Sequence, residues 1–171
     1  MIEQFVQQVK QNFGRLDILV NNTSVGYLGT LAELKVEQWD AMFNLNFRAV
    51  FLLTQQLLPL LRKAGEAFVL NIASLAGKNA FAGGAGYAAT KHALLGFSRC
   101  LMLEERKNGI NVLAVCPGSV RTEFFSNVPD GQSALAKIIL EPEDVARMVV
   151  EALKLPAWAM VSELDIRPAN P

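Results

Sequence analysis

Cysteine and histidine are nearly absent from the 171 residues, with Cys100, Cys116 and His92 the whole supply. Without a C-x-x-C pair and with one imidazole, the chain has too few of the ligands zinc prefers, and no metal is expected. Charge of one sign is also lacking. The 16 basic and 16 acidic side chains cancel and lie singly or in pairs, leaving no basic field for a phosphate backbone or anionic lipid, so nucleic-acid and membrane partners are not expected. No long hydrophobic run is present either: the richest stretch, AVFLLTQQLLPLL, is interrupted at Thr54, Gln55, Gln56 and Pro59. The first residues lack a basic-then-apolar signal layout, which predicts a soluble, cytoplasmic protein. Repeats, low-complexity tracts and linkers are missing, so residues 1–171 read as one domain. What is abundant is apolar surface: 51% of the residues are hydrophobic. A chain of this length buries roughly 70% of its unfolded surface, which excludes intrinsic disorder.

Hydrophobic periodicity organises the rest. Ile2, Phe5, Val6, Val9 and Phe13 recur at steps of three and four, the stripe of an amphipathic helix. Residues 17–20 form a short apolar run closed by Asn21 and Asn22, which predicts a parallel strand buried on both faces. Residues 36–63 read as helix in two pieces, with Pro59 limiting its end. A second buried strand is predicted at 67–72, then a loop of small residues, then a helix from about Gly86 to Gly109, where glycine suits the C-terminal cap. A third strand covers 110–116 and stops at Pro117. The remaining elements are a loop over 123–140, a helix begun by Pro142 with Glu143 and Asp144 in its first turn, and a last strand at 161–167. Cys100, Cys116, Trp39 and Trp158 read as packing residues, and His92 as a packed or interface residue. Strands alternating with long helices give an α/β fold with a parallel sheet and helices on both faces. Ligands in such sheets bind beyond the carboxyl ends of the strands, which directs attention to the loops after Val20, Ile72 and Cys116.

One constellation there carries chemistry. Ser74 follows the second strand, Tyr87 comes thirteen residues later, and Lys91 lies four positions further on the same helix face. At about 5 Å and an effective dielectric near 20, an ammonium stabilises a phenolate by roughly 3 kcal/mol, or about 2 pKa units. A phenol lowered in this way exchanges a proton with an alcohol or carbonyl oxygen, which a serine hydroxyl can hold. By itself Tyr-x-x-x-Lys is common on helices.

Ser74, Tyr87 and Lys91, with Asn46 in FNLNFRAVF, resemble the catalytic tetrad of the short-chain dehydrogenase/reductase superfamily, the NAD(P)-dependent Rossmann-fold oxidoreductases. The resemblance covers nearly the whole chain and implies the C-terminal portion of a doubly wound parallel-sheet fold, with a catalytic core at 17–122, a substrate lid at 123–140 and a terminal helix and strand within 142–167. It implies Tyr87 as general acid/base, Lys91 lowering the phenol pKa and holding the nicotinamide ribose, Ser74 orienting the substrate oxygen, and Asn46 anchoring a water that links Lys91 to solvent. Pro117-Gly118-Ser119-Val120-Arg121-Thr122 is similar to the family's P-G-x-x-x-T segment, so the Val120 backbone and the Thr122 hydroxyl would meet the nicotinamide amide and the phosphates. Thr122 reads equally as the N-cap of a following short helix.

Asn21-Asn22-Thr23-Ser24 stands where the family has Asn-Asn-Ala-Gly beside the adenosine ribose, the last two positions being bulkier here. Asn21 and Asn22 are implied in cofactor binding; alternatively they close the strand with turn hydrogen bonds. No T-G-x-x-x-G-x-G follows any strand, and the resemblance implies that roughly 60 to 70 residues of phosphate-cradling structure are lacking. Gly83, Gly84 and Gly86 fit tight turns and close packing better than a phosphate cradle.

The implied function is hydride transfer between NADP or NAD, with NADP favoured by resemblance alone, and a carbonyl or secondary alcohol. Dinucleotide binding by these residues alone is expected to be weak. The look is that of bacterial 3-oxoacyl-carrier-protein-reductase-like members, and a homo-oligomer would form through the Asn46 and Tyr87 helices. The rival expectation is a catalytically silent half-domain that serves as a binding or oligomerisation partner.

Overall fold

A computed structural model describes residues 2–124, 139–156 and 158–169. The described elements are α1 (Ile2–Asn12), β1 (Ile18–Asn21), α2 (Val36–Phe43), α3 (Ala49–Arg62), β2 (Ala67–Ile72), α4 (Ala85–Glu105), β3 (Ile110–Pro117), α5 (Pro142–Leu153) and β4 (Glu163–Ile166). All strands run parallel in the order β1-β2-β3-β4, with Ile18 opposite Phe68, Ala67 opposite Ile110 and Ala114 opposite Glu163. This is the α/β architecture that the alternating pattern predicts.

Strand parity decides which side chains meet which helices. On one face, Leu19, Val69 and Val112 pack with Val6 of α1 and with Leu57 and Leu61 of α3. Further along the same face, Ala114 and Cys116 pack with Val50 of α3 and with Leu94 and Leu95 of α4. On the other face, Leu70, Leu113 and Val115 meet Val145, Val149 and Leu153 of α5. Helices thus cover both faces. The α5 boundary follows its sequence: Pro142 needs no backbone hydrogen bond at the first helical position, and Asp144 Oδ2 accepts from the Glu141 N–H at 2.9 Å.

Three expectations are corrected. β1 is covered on one face only: Leu19 and Asn21 are buried, whereas Ile18 and Val20 are 44% and 52% exposed, because α5 reaches across β2 and β3 and not as far as β1. The helix expected to close soon after Pro59 ends at Arg62. Cys100 is exposed, unlike buried Cys116. Trp158 is 89% exposed and is not a packing anchor among the described residues, while Trp39 stacks on Phe43 with ring centres 4.6 Å apart. His92 is an exposed helix residue whose Nδ1 lies 2.9 Å from the Ala88 carbonyl oxygen.

The helix at 36–62 is continuous, but α2 and α3 are joined by a π-helical turn, Asn44–Arg48. Such turns widen the helix by one residue and recur at functional sites. This one contains Asn46.

Candidate active site

The carboxyl ends of β1, β2 and β3 open into a cavity of about 1720 Å³. Pockets for a small ligand span roughly 300–1,000 Å³, so there is room for more than one. Asn22 and Ser24 reach it from the loop after β1, Ser74 from the loop after β2, Tyr87 and Lys91 from α4, and Pro117, Gly118, Val120 and Thr122 from the segment after β3. All three loops singled out in the sequence therefore contribute. The lid assigned to 123–140 lies mostly outside the described residues, including Phe125 and Val128; Phe124 is described, and its ring packs against Tyr87 with centres 5.1 Å apart.

Ser74 begins a single 3₁₀ turn, Leu75–Gly77, and its Oγ accepts from the Ala76 N–H at 3.1 Å. That turn presses directly on α4: a Cβ at Gly77 would lie 2.8 Å from the Lys91 carbonyl oxygen. Only glycine permits this approach, which brings Ser74 beside the Tyr87 phenol, where its hydroxyl favours the ionised ring oxygen. Lys91 is 2% exposed. Its Nζ donates to the Ile72 carbonyl at 2.9 Å and stands 5.6 Å from the centre of the Tyr87 ring.

Electrostatics here depart from the expected lowering of the phenol pKa. Burial pushes the Tyr87 phenol above its ordinary value, and the hydroxyls of Ser74 and Ser24 only partly oppose this. Burial likewise pushes the Lys91 ammonium down to about 8, with the nearby Cys116 thiol acting the other way. The helical spacing does bring the pair together. However, the ammonium lies over the ring and is tied to a backbone carbonyl, so loss of hydration outweighs attraction for both charged forms.

Asn46 and Asn21 are buried and serve the framework. Asn46 Oδ1 accepts from the Val25 N–H at 2.8 Å, and its Nδ2 donates to the Val25 carbonyl at 2.8 Å and to Thr90 Oγ1 at 3.1 Å. Both amide hydrogens are thus used in clamping the loop after β1 to α4. Asn21 does not reach the cavity: its Nδ2 donates to Asn71 Oδ1 at 2.8 Å and to Thr54 Oγ1 at 3.3 Å, and Asn71 Nδ2 continues to Ser98 Oγ at 2.8 Å. The cofactor contact expected of Asn21 is replaced by a buried cross-link between β1, β2, α3 and α4. Thr122 lines the cavity while its Oγ1 accepts from the Phe124 N–H at 3.3 Å, the geometry of the capping alternative.

Sequence reasoning missed Thr90, whose Oγ1 donates to the Tyr87 carbonyl at 2.8 Å and so links Asn46 to the first turn of α4. Its place three residues after Tyr87 was the available signal, since threonine bonds back to a carbonyl one turn earlier.

The donor set at the cavity fits the nicotinamide and ribose end of a dinucleotide: a buried ammonium, a phenol, Asn22 and the turn after β3. The glycines around the start of α4 are occupied otherwise. The Gly29 N–H donates to the Gly83 carbonyl at 2.9 Å, and Cβ atoms at Gly84 and Gly86 would collide with the Phe81 ring and with Met42 Cε. Among the described residues no glycine loop is left to cradle phosphates.

A family model described as short chain dehydrogenase matches residues 1–133. The 3-oxoacyl-[acyl-carrier-protein] reductase of Thermotoga maritima is 33% identical over 155 residues, covering 87% of this chain and 63% of that protein. Sepiapterin reductase of Chlorobaculum tepidum is 31% identical over 169 residues, covering 99% of this chain and 68% of that protein. Among solved structures, an alcohol dehydrogenase from the archaeon Thermococcus sibiricus, complexed with 5-hydroxy-NADP, superposes with a TM-score of 0.86 at 27% identity, covering 98% of this chain and 69% of that one. The chain therefore spans roughly two thirds of the length of these similar proteins.

Proposed function

The chain belongs to the short-chain dehydrogenase family, and from that premise we propose that it is the proton-transfer and nicotinamide end of an NAD(P)-dependent oxidoreductase acting on a carbonyl or secondary alcohol. The observation that carries this proposal is the meeting of Ser74, Tyr87 and Lys91 at one cavity beyond the strand ends. When bound, the nicotinamide dinucleotide supplies or accepts the hydride.

In the reducing direction Tyr87 gives its proton to the carbonyl oxygen as the carbon gains hydride, and the Ser74 hydroxyl holds that oxygen. A phenol kept protonated by burial is suited to be the acid. Lys91 then faces the phenolate left behind and favours it. Asn22, Lys91, the Val120 backbone and Thr122 would hold the nicotinamide end. The 5-hydroxy-NADP on the Thermococcus sibiricus neighbour supports NADP as the dinucleotide. Leu75, Phe81 and Phe124 along the wall suit a substrate with an apolar body.

Exposed Phe51 on α3 and Leu103 on α4 support a homo-oligomer formed through these helices, and the unpaired cysteines fit a cytoplasmic setting. The proposal is tested by Tyr87→Phe, assayed for ketone reduction with NADPH and NADH. Turnover should be abolished with cofactor affinity unchanged, and retained turnover would remove Tyr87 from the role.

A further inference from the structure

Ser24 occupies a position where the family pattern has glycine, and its side chain has a consequence of its own. The residue lines the cavity. Its Oγ is fully buried, yet it finds no hydrogen-bond partner of ordinary geometry among the described residues. Buried hydroxyls are rarely left so, and one at the mouth of a reactive site calls for a reason.

The loop gives Ser24 little freedom to move elsewhere. The next residue, Val25, is held at both its N–H and its carbonyl by Asn46, each at 2.8 Å. Gly26 follows in a space so tight that a Cβ there would lie 2.3 Å from the Phe124 ring, and that ring packs on Tyr87. The framework thus fixes Ser24 beside the phenol, close enough for its hydroxyl to favour the ionised ring oxygen though not yet in a well-formed bond. Hydrogen bonds of this kind often stand long before a ligand is bound and tighten afterwards.

We propose that Ser24 is a positioning residue for Tyr87: its Oγ–H is donated to the phenol oxygen, so that hydroxyls from two loops, Ser24 and Ser74, hold that oxygen between them. The Ser74 oxygen already accepts from the Ala76 N–H at 3.1 Å, leaving its hydrogen for the phenol. Ser24 supplies the second donor, and a phenolate accepts both. The titratable and charged groups facing this pair are few. Lys91 stands one turn along α4, Cys116 lies behind it on β3 with its thiol pushed up to about 11 by burial, and Glu123 and Arg167 line the same cavity. The significance of Ser24 for turnover rests on the proposed oxidoreductase function; the hydrogen bond itself does not.

The experiment reads the phenol directly. The sequence has two tyrosines, Tyr27 and Tyr87, so the ultraviolet absorbance of tyrosinate can be titrated on the full chain, with Tyr87→Phe giving the Tyr27 contribution to subtract and circular dichroism confirming the fold at each pH. Ser24→Ala should raise the Tyr87 midpoint by on the order of one unit, a tenfold fall in its ionisation constant, and Ser24→Thr should restore it. An unchanged midpoint in Ser24→Ala overturns the proposal. Should that variant not fold, Ser24→Gly and Ser24→Thr decide: a higher midpoint in Gly than in Thr supports the bond, and equal midpoints overturn it. If the wild-type chain shows no turnover even with NADPH or NADH raised well above its millimolar dissociation constant but the midpoint moves, the oxidoreductase proposal fails while the Ser24 bond stands.

Discussion

Lys91 Nζ lies over the Tyr87 ring, 5.6 Å from its centre, and donates a hydrogen bond to the Ile72 carbonyl. An ammonium buried in this way, with a backbone oxygen and a π face as partners, keeps part of its desolvation cost, and its pKa falls to about 8 from an ordinary 10.5. The unfolded chain therefore binds more protons than the folded one between these values, and stability rises as pH climbs from about 8 to 10.5. Below pH 8 the full penalty is present.

Lys91→Met should accordingly stabilise the chain at pH 7. The depressed pKa sets a ceiling of about 3 kcal/mol, and the lost hydrogen bond to Ile72 reduces the gain to about 1–2 kcal/mol. Urea denaturation at pH 7 and pH 10 measures it: the variant should lead at pH 7 and lose that lead by pH 10. Turnover should be abolished, the usual exchange between a functional charge and stability.

Two glycines, one in the 3₁₀ turn after Ser74 and one within α4, should respond in opposite directions. A Cβ at Gly77 meets the Lys91 carbonyl oxygen at 2.8 Å and its carbon at 3.0 Å, whereas a Cβ at Gly96, within α4, meets nothing within 4 Å. Backbone cannot move aside cheaply, so Gly77→Ala should cost about 1–3 kcal/mol, while Gly96→Ala should gain about 0.5–1 kcal/mol. Denaturation midpoints at constant m-value give both signs. Gly77→Ala should also lower kcat at least tenfold, since the turn that carries Ser74 would be pushed off α4.

How far the site could be seen beforehand depended on the kind of information each residue carried. β2 and β3 were legible from their apolar runs because both faces are covered, one by α3 and α4 and the other by α5. The same reasoning misjudged β1, since composition cannot say that α5 stops short of Ile18 and Val20. Asn21 was misassigned although a signal existed: in a strand, alternate residues share a face, so Asn21 points with buried Leu19 toward α3 and α4, and it pairs in register with Asn71. Tyr87 and Lys91 were found by their helical spacing. Their pKa values were not legible, because spacing records neighbourhood and not burial.

The loop carrying Ser74 is also strapped to the far edge of the sheet, and this strap should fail in acid. Lys78, directly after the 3₁₀ turn, pairs with Glu163 Oε2 at 2.9 Å and Asp165 Oδ1 at 2.6 Å of β4, and Arg99 pairs with Glu163 Oε1. Hydrogen bonds from Arg99 and Lys78 hold the Glu163 carboxyl down at about 2, against an ordinary 4.5. A depressed carboxyl contributes stability that is complete above 4.5 and is lost as pH falls toward 2. These pairs are partly exposed, so about 1 kcal/mol or less attaches to each. Urea midpoints at pH 6 and pH 3 should therefore differ less in Glu163→Gln than in the wild type, and an equal difference would mean that the strap carries no acid sensitivity.

Dinucleotide affinity tests the division of labour in the cavity. Asn22, Tyr87, Lys91 and the turn at 117–122 line the cavity, and an ammonium, a phenol and an amide can recognise a ribose and a carboxamide. A pyrophosphate needs more. It is held by backbone N–H groups at a helix N-terminus, approached through glycines with nothing in front of them. The glycines around the start of α4 do not qualify: Gly83 packs on Gly29, Gly84 on Phe81 and Gly86 on Met42. The 171 residues alone should therefore bind NADPH near the millimolar range, about −4 kcal/mol, and not near micromolar, about −8 kcal/mol. Fluorescence titration of this chain against NADPH measures the difference, with nicotinamide mononucleotide as the comparison ligand. Because the mononucleotide retains the ribose and carboxamide and omits the adenosine half, the two should bind within a few-fold of each other. A dinucleotide that binds hundreds of times more tightly than its mononucleotide would place a phosphate or adenosine site within these residues and refute the division.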